Sequence, residues 1–202
     1  MRRVITNPSP MKTTAEPTIP TVVLVPGMRG PSQEHWQTLL AEQLPQARLV
    51  PPLGREPRNV REHVEALQAV LEDIDTPVFL VAHSAGVITT VHWASRYQGR
   101  VAGALLATPP DLVIPLPAEY PSLEQLAHHG WLPVPSEPLP FPSILAVSAD
   151  DPLSEPDRVR AFAADWGCVI RPIGAVGHLN PASGYGEWPD AKRLLDELRG
   201  MQ

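Results

Sequence analysis

Short apolar runs recur along the chain from about residue 21 onward, and polar or amphipathic stretches separate them. The runs are rich in β-branched residues and do not alternate between apolar and polar positions. Uninterrupted runs of this kind are typical of strands that are buried on both faces, as in a parallel sheet. The predicted strands are Thr21–Val25, Ala47–Val50, Pro77–Ala82, Val101–Ala107, Ser143–Val147 and Cys168–Arg171.

The stretches between these runs carry the signals of helices. The clearest follows Asn59, a good N-cap, and its apolar residues recur at helical spacing from Val60 to Ile74. Ser32 is the predicted N-cap of an earlier helix that runs to Leu44. Further helices are predicted at 86–97, 155–164 and 189–198. Strands and helices that take turns in this way predict a doubly wound α/β fold, a three-layer sandwich with a mostly parallel six-stranded sheet and helices on both faces.

Two segments depart from this alternation. Residues 1–20 show no apolar period, and we predict a flexible leader there, followed by a single domain over 21–202. Residues 108–142 hold ten of the chain's 26 prolines and only one candidate short helix, Ser122–His129. Long irregular insertions in compact domains are usually functional, often as lids or binding loops. An ordered surface excursion held rigid by its prolines is the alternative.

Composition excludes several classes of partner. The formal net charge is −6, so the chain has no basic footprint for nucleic acid. No apolar run is long enough for a membrane-spanning helix, and Cys168 has no partner for a disulfide. We therefore predict a cytoplasmic protein. No glycine pattern for phosphate and no metal-ligand spacing is present, so we predict neither cofactor nor metal.

The strongest local motif is Ala82-His83-Ser84-Ala85-Gly86, which joins a predicted buried strand to a predicted helix. This is the pattern of a nucleophile elbow, in which a serine stands on a sharp turn and small residues flank it two positions away. Ser84 is therefore the candidate nucleophile. A serine that merely caps the following helix is the alternative.

A serine nucleophile needs a base, and the base needs an acid that orients it. In this type of fold the chain order is serine, acid, histidine. Asp150 and Asp151 follow a late strand, and we favour Asp151, with Asp150 as a solvated turn residue or a supporting acceptor. His178 lies in a glycine-flanked loop after the last strand and is the candidate base. The other histidines are His35, His63, His83, His92, His128 and His129.

Acyl transfer also needs donors for the oxyanion that develops in the transition state. The backbone N–H of Ala85, at the start of the helix after Ser84, is one candidate. The backbone N–H of Met28, between Gly27 and Gly30 in the loop after the first strand, is the other.

Several stretches of the chain resemble those of a known family. It is similar to the α/β-hydrolase superfamily, and specifically to the compact serine hydrolases of the YdeN-like and retinoblastoma-binding-protein-nine-like group. The matching stretches are VPGMRGPSQEHWQ at 25–37, VAHSAG at 81–86, SADDP at 148–152, ADWG at 164–167 and GHLNPASGYGEWP at 177–189. The resemblance implies a triad of Ser84, Asp151 and His178, with His35, Trp36 and Asn180 near the site. His35 and Trp36 are equally compatible with a packing anchor.

The sequence thus predicts a cofactor-free serine hydrolase that cleaves carboxylic esters of small acyl substrates, with thioesters and amides as further substrate classes. Two alternatives stay open at this level. One is a binding protein of hydrolase shape without turnover, and the other is an amidase or peptidase on the same triad.

Overall fold

A computed structural model describes residues 19–54 and 59–201 of the protein. The predicted leader therefore lies almost entirely outside the described residues. Six strands form one sheet in the order β2-β1-β3-β4-β5-β6, and every neighbouring pair is parallel. The strands are β1 Thr21–Val25, β2 Ala47–Leu49, β3 Val78–His83, β4 Val101–Ala107, β5 Ser143–Val147 and β6 Val169–Pro172.

Within the described ranges, six α-helices accompany the strands. They are α1 Trp36–Gln43, α2 Val60–Glu72, α3 Ala85–Ala94, α4 Leu123–His128, α5 Pro156–Trp166 and α6 Asp190–Arg199. Asn59 caps α2 as predicted, because its side chain accepts the backbone N–H of Arg61. No helix of residues 19–54 or 59–201 is long and apolar enough to cross a membrane.

The predicted start of α1 is wrong by several residues. Ser32 does not cap the helix, because its carbonyl oxygen accepts the backbone N–H of His35 and closes a turn before the helix begins. The cap is His35 itself, whose Nδ1 accepts the backbone N–H of Gln37 at 3.2 Å.

The last strand also begins one residue later than predicted. Gly167 ends α5 in the left-handed conformation, with φ of 69°, and the backbone N–H of Cys168 still bonds back to the carbonyl of Ala163. Cys168 therefore lies in the connection between the helix and the strand.

Alternate residues of the central strands face opposite sides of the sheet, as the pleat requires. Val23, Leu80 and Leu106 join a first hydrophobic core with α2, α3 and α5. Leu24, Val81 and Leu105 join a second core with α1 and α6. Helices thus cover both faces of the sheet, and the predicted fold class is confirmed.

The proline-rich segment 108–142 packs on the side of the first core. It contains α4, which Ser122 and Gln125 cap reciprocally, and Leu126, Trp131 and Phe141 are buried in that core. Among further contacts, Asp111 is buried and pairs with Arg158 of α5 at 3.3 Å. The segment is thus fastened at several points, and its movement as a lid stays a prediction.

Candidate active site

Ser84 stands on the turn between β3 and α3. Its backbone has φ of 56° and ψ of −127°, a conformation that residues other than glycine rarely adopt. Its hydroxyl makes no capping hydrogen bond to α3, so the alternative of a simple helix cap does not hold. A Cβ on Gly86 would lie 2.2 Å from the carbonyl oxygen of Val25, which explains the need for glycine two residues after the serine.

A chain of hydrogen bonds leads from Ser84 to a buried carboxylate. The Ser84 hydroxyl lies 2.8 Å from Nε2 of His178, and Nδ1 of His178 lies 3.0 Å from both carboxylate oxygens of Asp151. Because a carboxylate can only accept, Nδ1 carries the proton of the neutral ring and Nε2 accepts from the serine. The side chains of His178 and Asp151 are both at least nine-tenths buried. The structure therefore brings together the three side chains that the sequence selected.

The two adjacent aspartates have different contacts. Asp151 faces His178 and also accepts the backbone N–H of Leu153 at 2.9 Å. Asp150 is exposed and accepts the backbone N–H of Gly177 at 2.7 Å and the hydroxyl of Ser148 at 2.9 Å. These hydrogen bonds, that from Gly177 first, lower the pKa of Asp150. Asp150 thus fastens the residue that precedes His178.

The loop that carries His178 is shaped by its own side chains. The backbone N–H of His178 donates to the Ser183 hydroxyl at 3.1 Å, and the backbone N–H of Ser183 donates to the Asn180 side chain at 2.9 Å. Leu179 has φ of 48° and is fully buried. A Cβ on Gly177 would lie 2.6 Å from the Ser183 hydroxyl. These contacts account for the glycine, asparagine and serine of this stretch.

Two further histidines pack beside His178. The ring of His83 lies 5.1 Å from that of His178 and 4.9 Å from that of His35, between centroids. His83 donates from Nε2 to the backbone carbonyl of His178 at 2.9 Å. Sequence reasoning assigned His83 no part because neighbouring side chains on an elbow point apart. The sequence feature that could have identified His83 as part of the site is its position at the end of the strand, directly before Ser84.

Burial keeps both of these rings neutral. It lowers the pKa of His35 to about 4, and the neighbouring His178 adds to this effect. Burial also lowers the pKa of His83 well below its usual value, with smaller contributions from His178 and His35. By contrast, His178 has a carboxylate partner, Asp151, at 3.0 Å.

A cavity of about 410 Å³ opens over Ser84. Ser84, Ala85 and Met28 all line it, so the two candidate oxyanion donors lie on residues beside the nucleophile. An apolar lining comes from the side of the first core and from the proline-rich segment: Ile88, Pro110, Leu112, Leu116, Leu126 and Trp131. A polar lining comes from His35, His83, His178 and Asn180.

An arginine links two parts of the cavity lining. Arg29 lies in the loop after β1, and its guanidinium stands 4.5 Å from the centroid of the Tyr120 ring. It also donates to the backbone carbonyl of Glu119. The loop that carries Met28 and the proline-rich segment are thereby joined.

A parallel sheet with helices on both faces and a serine at the turn between β3 and α3 defines an α/β-hydrolase. The family model for serine hydrolases matches residues 22–197, and the chain belongs to that family. No curated protein matches the sequence.

Solved structures agree with this assignment. A protein of Pectobacterium atrosepticum described as a YdeN-like hydrolase is 25% identical, with a TM-score of 0.76, and the match covers 90% of this chain and 91% of that one. The ydeN gene product of B. subtilis is 18% identical, with a TM-score of 0.73 and coverage of 90% and 100%. Est1E of Butyrivibrio proteoclasticus, solved with ferulic acid bound, shares the fold at 13% identity, a TM-score of 0.65 and coverage of 92% of each chain.

Proposed function

We propose that this serine hydrolase cleaves carboxylic esters of small acyl substrates, with Ser84 as nucleophile, His178 as base and Asp151 as the acid that orients it. The observation that carries the proposal is the continuous hydrogen-bond chain from the Ser84 hydroxyl through His178 to Asp151. The cavity above Ser84, about 410 Å³, falls within the usual size of small-molecule sites, roughly 300–1,000 Å³.

In the first half of the reaction, Ser84 Oγ forms a bond to the acyl carbon while its proton passes to Nε2 of His178. The oxyanion of the tetrahedral intermediate accepts from the backbone N–H groups of Met28 and Ala85. The bond from the acyl carbon to the alcohol oxygen then breaks, and His178 returns its proton to that oxygen. Asp151 stabilises the imidazolium while it carries the extra proton.

In the second half, a water molecule replaces the alcohol. It loses a proton to His178 as it attacks the acyl carbon, and the bond to Ser84 breaks as the proton returns to Oγ. The products are the carboxylic acid and the original enzyme. Esters are the first substrate class to test, because an alkoxide leaves more readily than an amide nitrogen and so demands least of the site.

Covalent labelling tests the nucleophile directly. We expect a fluorophosphonate probe to add one adduct at Ser84, detected by intact mass and peptide mapping, and Ser84→Ala to remove it. Ser84→Ala is also expected to lower kcat for p-nitrophenyl butyrate by at least about 10³-fold. Ser95→Ala is the matched control, since Ser95 lies at the other end of α3, where its hydroxyl donates to the backbone carbonyl of His92 in the same helix.

Each alternative predicts a different result. Absence of an adduct on the folded wild-type protein, with hydrolysis equal to that of Ser84→Ala, would establish a binding protein without turnover. Faster cleavage of a p-nitroanilide than of the ester with the same acyl group would establish an amidase or peptidase. A thioester with the same acyl group, measured beside that ester, tests for a thioester preference.

A further inference from the structure

His35 is a largely buried histidine that lines the cavity with a hydrogen-bond donor. Its side chain lines the cavity, and the residue is only 6% exposed. Its Nδ1 accepts the backbone N–H of Gln37, so the proton of the neutral ring is on Nε2. Within the described part of the chain, no acceptor lies within hydrogen-bond distance of that Nε2. Because His35 lines the cavity, this donor is available to a molecule that binds there.

The surroundings of His35 separate it from other unsatisfied groups. Nε1 of Trp36 is buried without an acceptor among the described residues, but Trp36 does not line the cavity. Asn180 does line it, and uses its side-chain oxygen to accept from Ser183. Its amide nitrogen, like Nε2 of His35, has no acceptor among residues 19–54 and 59–201. The polar lining therefore offers donors to whatever occupies the cavity.

The direction of the reaction indicates which part of the substrate meets these donors. His178 must return its proton to the alcohol oxygen, so the alcohol group leaves along the lining that holds His178. His83 stands against His178, and His35 against His83. The apolar lining, which includes Ile88 and Trp131, is left for the acyl chain.

We propose that His35 is a specificity residue that donates from Nε2 to an acceptor oxygen in the alcohol part of the ester, such as an ether or hydroxyl oxygen. The substrate class is then an ester with an apolar acyl chain and an oxygen-bearing alcohol. This inference rests on the ester hydrolysis proposed above. Burial lowers the pKa of His35 to about 4, so the ring stays a neutral donor near neutral pH while His178 exchanges its proton.

Two esters of equal size test the proposal. Butyl butyrate and 2-methoxyethyl butyrate differ by one methylene, which an ether oxygen replaces in the alcohol part. We expect wild-type kcat/KM to favour the methoxyethyl ester, and His35→Asn to reduce that preference roughly tenfold, the equivalent of about 1.4 kcal/mol. Any difference in intrinsic reactivity between the two esters cancels when the ratios are compared.

The choice of variants separates recognition from folding. Asparagine at 35 retains an acceptor for the Gln37 N–H and loses the donor at the cavity. His35→Gln reaches the position of Nε2 with an amide N–H and loses the cap, so it is expected to lower the Tm and to keep the preference.

An unchanged preference in His35→Asn would overturn the proposal, as would an equal loss in both variants that follows their Tm values. Failure to hydrolyse either ester, in wild-type protein that a fluorophosphonate labels at Ser84, would overturn the substrate class alone. Absence of that label would instead overturn the proposed function.

Discussion

His83 donates a hydrogen bond from Nε2 to the backbone carbonyl oxygen of His178, 2.9 Å away. The residue directly before Ser84 is thereby tied to the backbone of the histidine that Ser84 contacts. Because both histidines are buried, this hydrogen bond ties the elbow to the late loop at a position with little exposure to bulk solvent. We regard His83 as a positioning residue, since it acts on His178 rather than on the substrate.

Substitution of His83 measures this positioning. His83→Leu leaves the carbonyl of His178 without a donor, so we expect the free energy of unfolding to fall by about 1–3 kcal/mol. Displacement of the imidazole is expected to lower kcat by roughly ten- to a hundredfold. His83→Gln restores an N–H near Nε2 and is expected to recover most of the kcat. Equal kcat values for the two variants would contradict a positioning role.

Stability should depend on pH through the buried histidines. Burial lowers the pKa of His35 to about 4 and that of His83 well below 6.5, so the folded protein keeps both neutral. The unfolded chain binds those protons below about pH 6.5. The contribution of these two histidines to the free energy of unfolding is therefore fully present above that pH. On acidification below it, the free energy of unfolding falls by about 1.4 kcal/mol per pH unit for each histidine.

Urea unfolding of the wild type and of His83→Gln between pH 7.5 and 5 checks this sign. The variant lacks one of the buried imidazoles, so its stability should decline less steeply, by about 1.4 kcal/mol per pH unit. Parallel declines in the two proteins would show that His83 is protonated equally in the folded and unfolded states.

The neighbouring aspartates should differ sharply in their effect on activity. In the proposed mechanism, Asp151→Asn removes the charge that stabilises the His178 imidazolium, and kcat is expected to fall by about 10³- to 10⁴-fold. Asp150→Asn keeps an oxygen that accepts the backbone N–H of Gly177, so we expect kcat within about threefold of wild type. Ester hydrolysis with both variants gives the comparison. A loss in Asp150→Asn as large as that in Asp151→Asn would reverse the assignment of the acid.

Much of the fold follows from local pattern. β1 and β5 have the predicted bounds, because continuous apolar runs ended by a proline or a polar turn leave little choice. The order of the strands in the sheet could not be predicted in this way, because the six apolar runs have similar sequences and none of them indicates its neighbours. The predicted start of α1 was wrong because the helix is capped by the ring of His35. Serine is a far more usual N-cap than histidine, so the sequence favoured Ser32.

The sequence likewise predicted some features of the candidate site and not others. Chain order selected Ser84, Asp151 and His178, and the structure joins them by hydrogen bonds, while their catalytic roles remain our proposal. The contact between Asp150 and Gly177 depends on how one loop returns past another, which spacing does not encode. For 108–142 the sequence predicted a lid or binding loop, but it did not indicate which side chains line the cavity, because that segment has no apolar period.

The apolar lining over Ser84 is supplied largely by that proline-rich segment, whereas the hydrogen-bonded side chains come from the turns that follow β3, β5 and β6. Replacing Leu116, which is only partly buried against the core, therefore changes the apolar lining at a residue outside the hydrogen-bond chain of Ser84, His178 and Asp151. If the proposed function holds, selection for a different acyl-chain length acts on this segment and leaves the reacting groups unchanged.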